Sequence, residues 1–237
     1  MATQHHPIYD VFARVEDNFG KTDLGSSRWY IATIAALVGG NDPDLCANLY
    51  TYLLTKPEFS TPPQRQVLVR RLREALVKSI SIIGVCKPLE AIMAINRCER
   101  DEDKDRSATR EGWQCDEANR QRGQDWLGTL YTRDASQTLG LFDDHRDFQW
   151  VTERITYGLY LSDRQVLDDV ETEMVVLPGI MIQNLRTETH WHIRGTRRLG
   201  VSAHDVKLVW DSVQLVAEYL GLMLNRVPTV EQVEGDV

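Results

Sequence analysis

The sequence predicts an all-α fold, and three features of the residue pattern support this prediction. Apolar residues recur at three- and four-residue spacing along most of the 237-residue chain, which is the period of an amphipathic helix. Residues that favour the first turn of a helix stand directly before several of these stretches. No convincing run of alternating apolar and polar residues indicates a sheet strand. We therefore expect a bundle of helices.

Two helices are expected early in the chain, over about 28–38 and 43–54. A longer helix follows Thr61, where Thr-Pro-Pro-Gln supplies an N-cap, a proline in the first turn and a glutamine that closes a capping box. Gly84 ends this helix, and a shorter helix over 87–95 comes next. The apolar positions of the long helix include Leu68, Leu72, Ala75, Leu76, Ile80 and Ile83.

Capping residues indicate two further helix starts. The tetrapeptide at Ser162, Ser-Asp-Arg-Gln, has the spacing of a capping box and predicts the start of the helix that contains Glu173. A short helix is expected over 188–199. Ser202 then caps a last long helix over 206–223.

The segment 98–112, CERDEDKDRSATREG, is so densely charged that we expect a solvated loop or a helical extension into water. The alternating aspartates in it have the spacing of a calcium-binding loop. However, Arg106 stands where such a loop needs glycine, and Gly112 stands where it needs glutamate. The sequence therefore predicts no calcium site here.

These patterns suggest three parts of the chain. Residues 1–60 are expected to form a helical extension packed on the bundle, and residues 61–225 form the main helical domain, with a charged insertion at 98–124. The acidic tail, 226–237, is expected to be frayed because chain ends are usually poorly ordered.

The composition of the chain argues against several classes of function. The chain has 27 basic and 35 acidic residues, a net charge of −8, which argues against binding nucleic acid or an anionic membrane. The N-terminus has no apolar stretch of signal-peptide length, and no run is long enough to span a bilayer. We expect a cytoplasmic, reducing setting. The chain has four cysteines, at Cys46, Cys86, Cys98 and Cys115. Their spacing is neither Cys-x-x-Cys nor that of a zinc site, so no metal site is predicted.

Glu173 and His192 are the strongest candidates for chemistry. Glu173 lies on or near the apolar stripe of its helix, where a carboxylate must be paired or its pKa rises toward neutrality. Such a carboxyl can act as a general acid or base. The alternative is a structural acid paired with Arg73 or Arg194. A lone histidine on a helix face is more often a structural residue, so spacing alone leaves both interpretations of His192 open.

His190 is a second histidine on the same helix, roughly 200° around the axis from His192. Both rings therefore cannot easily face one point, and a His-x-His metal site does not fit. We expect His192 to face a pocket and His190 to lie outside it. His190 nevertheless stays a candidate for substrate binding, together with Tyr157 and Trp191, which could line the pocket, and Arg194, which could clamp a substrate carboxylate.

The stretch 171–205 resembles the carboxymuconolactone decarboxylase/alkylhydroperoxidase D (AhpD-like) superfamily. The matching elements are the Glu entering an apolar helix, then His-x-Arg-Gly starting at His192, and Leu-Gly at Gly200 before a capped helix. Weaker matches extend the resemblance over roughly 64–221. It implies an AhpD-like helical bundle, a proton-relay role for His192, and a homo-oligomer.

A faint internal duplication is also suggested. Aligning Glu74 with Glu173 places Met93 at the position of His192, and both halves then contain a long helix followed by a short one. Only the second half would carry the acid–base pair.

The sequence departs from the peroxidase branch of this superfamily, which has two reactive cysteines seven and four residues before the histidine. Leu185 and Glu188 occupy those positions here. The chain therefore resembles the decarboxylase-type branch, which works without metal or organic cofactor. The resulting prediction is an acid–base decarboxylase, isomerase, cyclase or lyase acting on a small oxygenated organic acid or lactone. The alternatives are a non-catalytic interaction protein that docks through 98–124, and a thiol peroxidase using Cys98 or Cys115.

Overall fold

The computed structural model describes residues 6–237, and this part of the chain is helical with no strand. The all-α prediction is confirmed. None of the helices in that range is long and apolar enough to cross a bilayer. The helices are α1 Ile8–Phe19, α2 Trp29–Gly39, α3 Leu45–Leu53, α4 Pro62–Ile83, α5 Cys86–Cys98, α6 Glu117–Tyr131, α7 Ala135–Gly140, α8 Arg146–Trp150, a π-helix Val151–Leu161, α9 Asp169–Met181, α10 Arg186–Arg198, α11 Ala203–Tyr219 and α12 Val230–Val233.

Helices α2 and α9 form the centre of the main core, and every residue of α2 is buried. A helix that is apolar on all sides is stable only when neighbours surround it. Close approach to α9 depends on Gly39, because a Cβ there would lie 2.4 Å from a side-chain carbon of Ile182 and 3.0 Å from the Gly179 carbonyl oxygen. The early helices therefore belong to the core itself and are not an extension packed on its outside.

Local capping signals set several boundaries as predicted. Helix α4 starts after Thr61, whose N–H donates to Gln64 Oε1, and ends at Gly84, where φ is +96°. The Ser202 hydroxyl caps α11 by accepting a hydrogen bond from the Asp205 N–H at 3.0 Å. These motifs satisfy N–H groups that have no partner inside the helix.

The predicted start of α9 at Ser162 is wrong. The helix begins seven residues later with a capping box between Asp168 and Glu171, whose side chains accept each other's backbone N–H at 2.7 and 3.0 Å. The Ser162 hydroxyl instead donates to the Gly158 carbonyl at the end of the π-helix. Ser162 and Asp168 are both residue types that cap helices, and the structure uses Asp168, six residues further on.

A second, smaller core lies between α6 and the π-helix. Gly123 of α6 lets the two helices touch, because a Cβ at this position would lie 2.0 Å from the Glu153 carbonyl oxygen. The Asn119 amide donates to the Arg154 carbonyl at 2.8 Å and so satisfies a backbone acceptor of the π-helix. The buried apolar residues of this core are Trp126, Leu127, Leu130, Tyr131, Tyr157, Leu161, Val176 and Ile180.

Gly123→Ala is expected to lower the free energy of unfolding by about 1–3 kcal/mol, because the added methyl group collides with backbone that cannot move independently. Alanine's better helix propensity, about 1 kcal/mol, does not offset this. Gly128→Ala on the same helix is the matched control. A Cβ there meets open space, so this variant should gain up to about 1 kcal/mol. Urea unfolding measures both changes, and shifts of the same sign would contradict the close contact.

The charged segment is a loop with many exposed residues, as predicted, but it is not free in solvent. Residues 101–110, which we name the strap, lie along α4 and exchange ion pairs with its arginines. Asp103 is fully buried and accepts a hydrogen bond from Arg65 Nε at 2.8 Å. Asp105 lies between Arg70 and Arg73. The sequence did not predict the burial of these two aspartate side chains, because their partners lie more than thirty residues away, about 32–38 positions back along the chain.

The strap ends at a set of charges that we name the charge cluster, in which Arg110 is partly exposed and the other three residues are buried: Glu74, Lys78, Arg110 and Asp163. Arg110 binds both carboxylate oxygens of Glu74, at 2.6 and 2.7 Å. Lys78 Nζ has no exposed surface and donates to the Asp163 carbonyl at 2.8 Å and the Leu161 carbonyl at 3.2 Å. Lys78 thereby ties α4 to the chain leaving the π-helix, and its burial lowers its pKa to about 7.

The stability of the protein should rise with pH because of Lys78. Between the folded-state pKa of about 7 and the ordinary value of 10.5, the unfolded chain holds a proton on Lys78 that the folded chain lacks. The free energy of unfolding therefore increases across this window, and below it the cost of burying the charge is fully present. Relative to Lys78→Met, we expect the wild type to gain about 1–2 kcal/mol between about pH 7.5 and about pH 9. Parallel urea-unfolding curves for the two proteins across this range would contradict it.

The acidic tail is packed and not frayed. Thr229 caps the short helix α12, and Val230 and Val233 are buried in the main core. Arg197 of α10 holds Glu234 with two hydrogen bonds. Two buried valines and an ion pair fix this end of the chain, although its composition resembles that of a mobile terminus.

Candidate active site

Packing of α10 on α9 brings Glu173 and His192 into direct contact. His192 Nδ1 lies 2.9 Å from Glu173 Oε2, Glu173 has no exposed surface, and His192 is 5% exposed. The predicted pairing of the two residues is confirmed. The alternative partners of Glu173 are engaged elsewhere, since Arg73 binds Asp105 in the strap and Arg194 binds Asp134.

One oxygen of the Glu173 carboxylate is unusual. Within residues 6–237, Oε1 is buried without a hydrogen-bond partner. The Thr196 hydroxyl lies 3.4 Å from the other oxygen, but it also donates to the His192 carbonyl at 2.7 Å. A buried carboxylate with one unsatisfied oxygen is costly. Asp103 Oδ2 in the strap is also buried without a partner, so this feature does not by itself identify a site of chemistry.

Two tyrosines extend the pair into a chain of polar groups. His192 Nε2 lies 3.5 Å from the Tyr157 hydroxyl, which lies 3.0 Å from the Tyr131 hydroxyl. We name the four residues the relay: Glu173, His192, Tyr157 and Tyr131. Because the carboxylate accepts the proton of Nδ1, Nε2 is left as the basic nitrogen facing Tyr157. Burial raises the pKa of Tyr131 to about 12 and that of Tyr157 well above its usual value, so both phenols keep their protons at neutral pH.

The two tyrosines come from the smaller core. Tyr131 ends α6, and Tyr157 lies in the middle of the π-helix. The sequence pattern identified Tyr157 as a pocket residue but gave no signal for Tyr131, because the apolar spacing of α6 is too weak to identify the helix. π-Helical turns are uncommon and frequently occur at functional sites, which fits the position of Tyr157 beside His192.

A surface cavity of about 770 Å³ opens beside the relay. Its lining includes His190 and Trp191 of α10, but neither Glu173 nor His192. The Trp191 ring stands edge-on to the Tyr131 ring, with 6.1 Å between ring centroids. Trp191 therefore lines the cavity on one side and contacts Tyr131, the last residue of the relay, on the other.

The histidines thus have different surroundings. His192 faces the buried carboxylate, whereas His190 faces the surface cavity and pairs through Nε2 with Asp236 at 2.9 Å. The two rings do face different ways, as expected, but the cavity lies on the side of His190, where C-terminal residues form one of its walls, and His192 does not line it. Arg194 is not open to a substrate carboxylate, since it already holds Asp134 at 3.1 Å.

The cysteines and the first half of the suggested repeat lie apart from the relay. Cys46 is buried, the other three cysteines are exposed, and none forms a disulfide. Within the described residues, no hydrogen bond of the relay involves sulfur, and no three His, Cys, Asp or Glu side chains are grouped to hold a metal ion. Glu74 pairs with Arg110, and Met93 is exposed, so the first half of the suggested repeat has no relay.

The geometry therefore describes a carboxylate–imidazole–phenol chain beside a surface cavity. Comparisons of the chain with models of protein families, with curated proteins and with solved structures found no match, so membership of the carboxymuconolactone decarboxylase superfamily stays a prediction from the sequence.

Proposed function

We propose that the protein is a cofactor-independent acid–base enzyme that acts on a small oxygenated organic acid or lactone. The buried contact between Glu173 and His192 is the observation that carries this proposal. A carboxylate that orients an imidazole, which in turn faces a hydroxyl group, is a recurring arrangement for moving protons. Here the hydroxyl group is the phenol of Tyr157, and a second phenol, Tyr131, extends the chain by one group.

In a decarboxylation, the bond between carbon and the departing CO₂ breaks, and its electron pair moves into an adjacent carbonyl group to form an enolate. A neutral phenol donates a hydrogen bond to the enolate oxygen, where negative charge develops. A phenol then gives its proton to carbon, and a proton from solvent, taken up by His192 at Nε2, replaces it on the phenolate. Isomerisation, cyclisation and elimination pass through the same enolate, so the relay serves each of them.

The substrate reaches the relay from the surface cavity. Trp191 separates the cavity from Tyr131, so its ring has to rotate before a substrate contacts the phenol. Side-chain motion of this kind also excludes water from the relay when the ring returns, which strengthens the electrostatic interactions inside. The family resemblance further implies a cytoplasmic homo-oligomer, and sedimentation of the purified chain tests the oligomeric state.

Solvent deuterium exchange tests the function without knowledge of the natural reaction. An enzyme that forms enolates should place deuterium at the carbon next to a carbonyl group when it is incubated in D₂O with a set of keto acids and lactones. Proton NMR detects the loss of that carbon's signal. We expect exchange above the uncatalysed rate for at least one member of the set. A purified, folded protein that exchanges none of them would contradict the proposal.

A second candidate is a non-catalytic interaction protein, and the exposed apolar residues near α8 favour it: Leu141, Phe148, Trp150 and Val151. Exposed apolar groups of this kind often mark contacts with other proteins. The charged insertion is a weaker docking candidate, because the strap uses several of its charges to bind α4. In this case Trp150→Ser would abolish partner binding, and relay variants would alter stability alone.

A further inference from the structure

The surface cavity has two arginines that differ from their neighbours. Arg194, Arg197 and Arg198 of α10 all hold carboxylates of Asp134 or Glu234. Within residues 6–237, the cavity-lining Arg186 and Arg226 form no ion pair. In a chain with eight more acidic than basic residues, two unpaired guanidinium groups at one cavity are available to an external anion.

The wall that carries Arg226 is held in place by its backbone. The Arg226 N–H donates to Asn184 Oδ1 at 2.8 Å, and the Asn184 amide donates to Asn225 Oδ1 at 3.0 Å. Two residues further on, the Pro228 carbonyl accepts a hydrogen bond from Trp210 Nε1 at 3.0 Å. These contacts fix the backbone from which the guanidinium extends, so less order has to be imposed when a ligand binds.

The remaining lining is suited to a flat apolar group. Trp191, Val227 and Pro228 supply apolar surface, and the cavity of about 770 Å³ is in the range that encloses a small organic molecule. Arg186 lies in the first turn of α10, whose N-cap has no side-chain hydrogen bond, so the positive end of the helix adds to the local potential. Guanidinium groups bind carboxylates through paired hydrogen bonds.

We infer that the surface cavity binds an organic carboxylate, with Arg186 and Arg226 on the carboxylate and Trp191 against the body of the molecule. This inference rests on the proposed function only in identifying that ligand as the substrate. In that case α10 holds the substrate by its carboxylate group, next to the Trp191 ring that separates the cavity from the relay. It also replaces Arg194, which the sequence suggested as the carboxylate clamp.

Calorimetric titration with benzoate tests the inference, with benzamide as an uncharged probe of the same shape. We expect benzoate to bind better than benzamide, and more weakly as salt is added. Arg186→Gln and Arg226→Gln should each weaken benzoate binding by about tenfold or more, and the double variant should abolish it. Arg14→Gln, an exposed change on α1, should leave it unaltered.

Equal binding of the two probes, no binding of benzoate, or arginine variants that bind like the wild type would each overturn the inference. Arginine-dependent benzoate binding without deuterium exchange on any keto acid would support the carboxylate site and contradict the proposed function. Exchange that continues unchanged in the double variant, with the same KM, would support the relay and overturn the carboxylate site.

Discussion

His192→Asn is expected to lower the rate of solvent deuterium incorporation by about 10²–10⁴-fold, the usual contribution of a positioned acid–base group. The asparagine amide nitrogen takes roughly the place of Nδ1, so the contact with Glu173 can be kept while the nitrogen that faces Tyr157 is lost. The variant therefore interrupts the relay at one atom. Exchange rates are measured by proton NMR, and urea unfolding checks that the variant is folded.

Glu173→Gln should reduce the exchange rate by a similar factor for a different reason. The glutamine amide can donate to Nδ1, which places the imidazole proton on Nε2 and leaves no base facing Tyr157. His204→Asn on the exposed face of α11 is the matched control and should exchange at the wild-type rate. A folded His192→Asn protein with wild-type exchange would show that the pair is structural and that other residues catalyse the exchange.

The sequence predicted those parts of the structure that depend on local signals. The caps at Thr61 and Ser202 are such signals, because a capping side chain bonds to backbone only two or three residues away. The contact between Glu173 and His192 was predicted on weaker grounds. Their nineteen-residue separation is consistent with two packed helices, but a family resemblance was needed to prefer a pair over a structural acid.

What the sequence did not predict depends on distant partners. Two aspartate side chains of the strap are buried because arginines of α4 bind them, and no local pattern encodes a partnership across more than thirty residues, about 38 for Arg65 and Asp103. The position of Tyr131 depends on the contact of α6 with the π-helix at Gly123. The spacing of apolar residues does not predict that contact. The start of α9 was misplaced because two capping signals stood close together.

Glu74→Gln is expected to have the largest effect on stability of any single change in the charge cluster, about 3–5 kcal/mol at pH 6. The substitution keeps the shape of the side chain but removes the negative charge that Arg110 binds through both oxygens. It also leaves Lys78 without its nearest carboxylate, and Asp163, 3.5 Å from Arg110, is then the remaining acid of the cluster. Buried cations left without partners account for the cost.

The cost of Glu74→Gln should fall as the pH rises toward about 7, because Glu74 raises the pKa of Lys78 and its removal lets Lys78 lose its proton at a lower pH, whereas Arg110 cannot lose its proton. Adding Lys78→Met to Glu74→Gln should therefore recover part of the lost free energy of unfolding at pH 6 and less at pH 9, which a double-mutant cycle measures. Glu111→Gln, exposed next to the strap, should change stability by less than about 0.5 kcal/mol.

Because Arg110 anchors the strap to α4, amide hydrogen exchange across 101–110 should accelerate in Glu74→Gln and not in Glu111→Gln. Equal stability losses for the two glutamate variants would mean that the cluster is solvated and that the strap is held by other contacts.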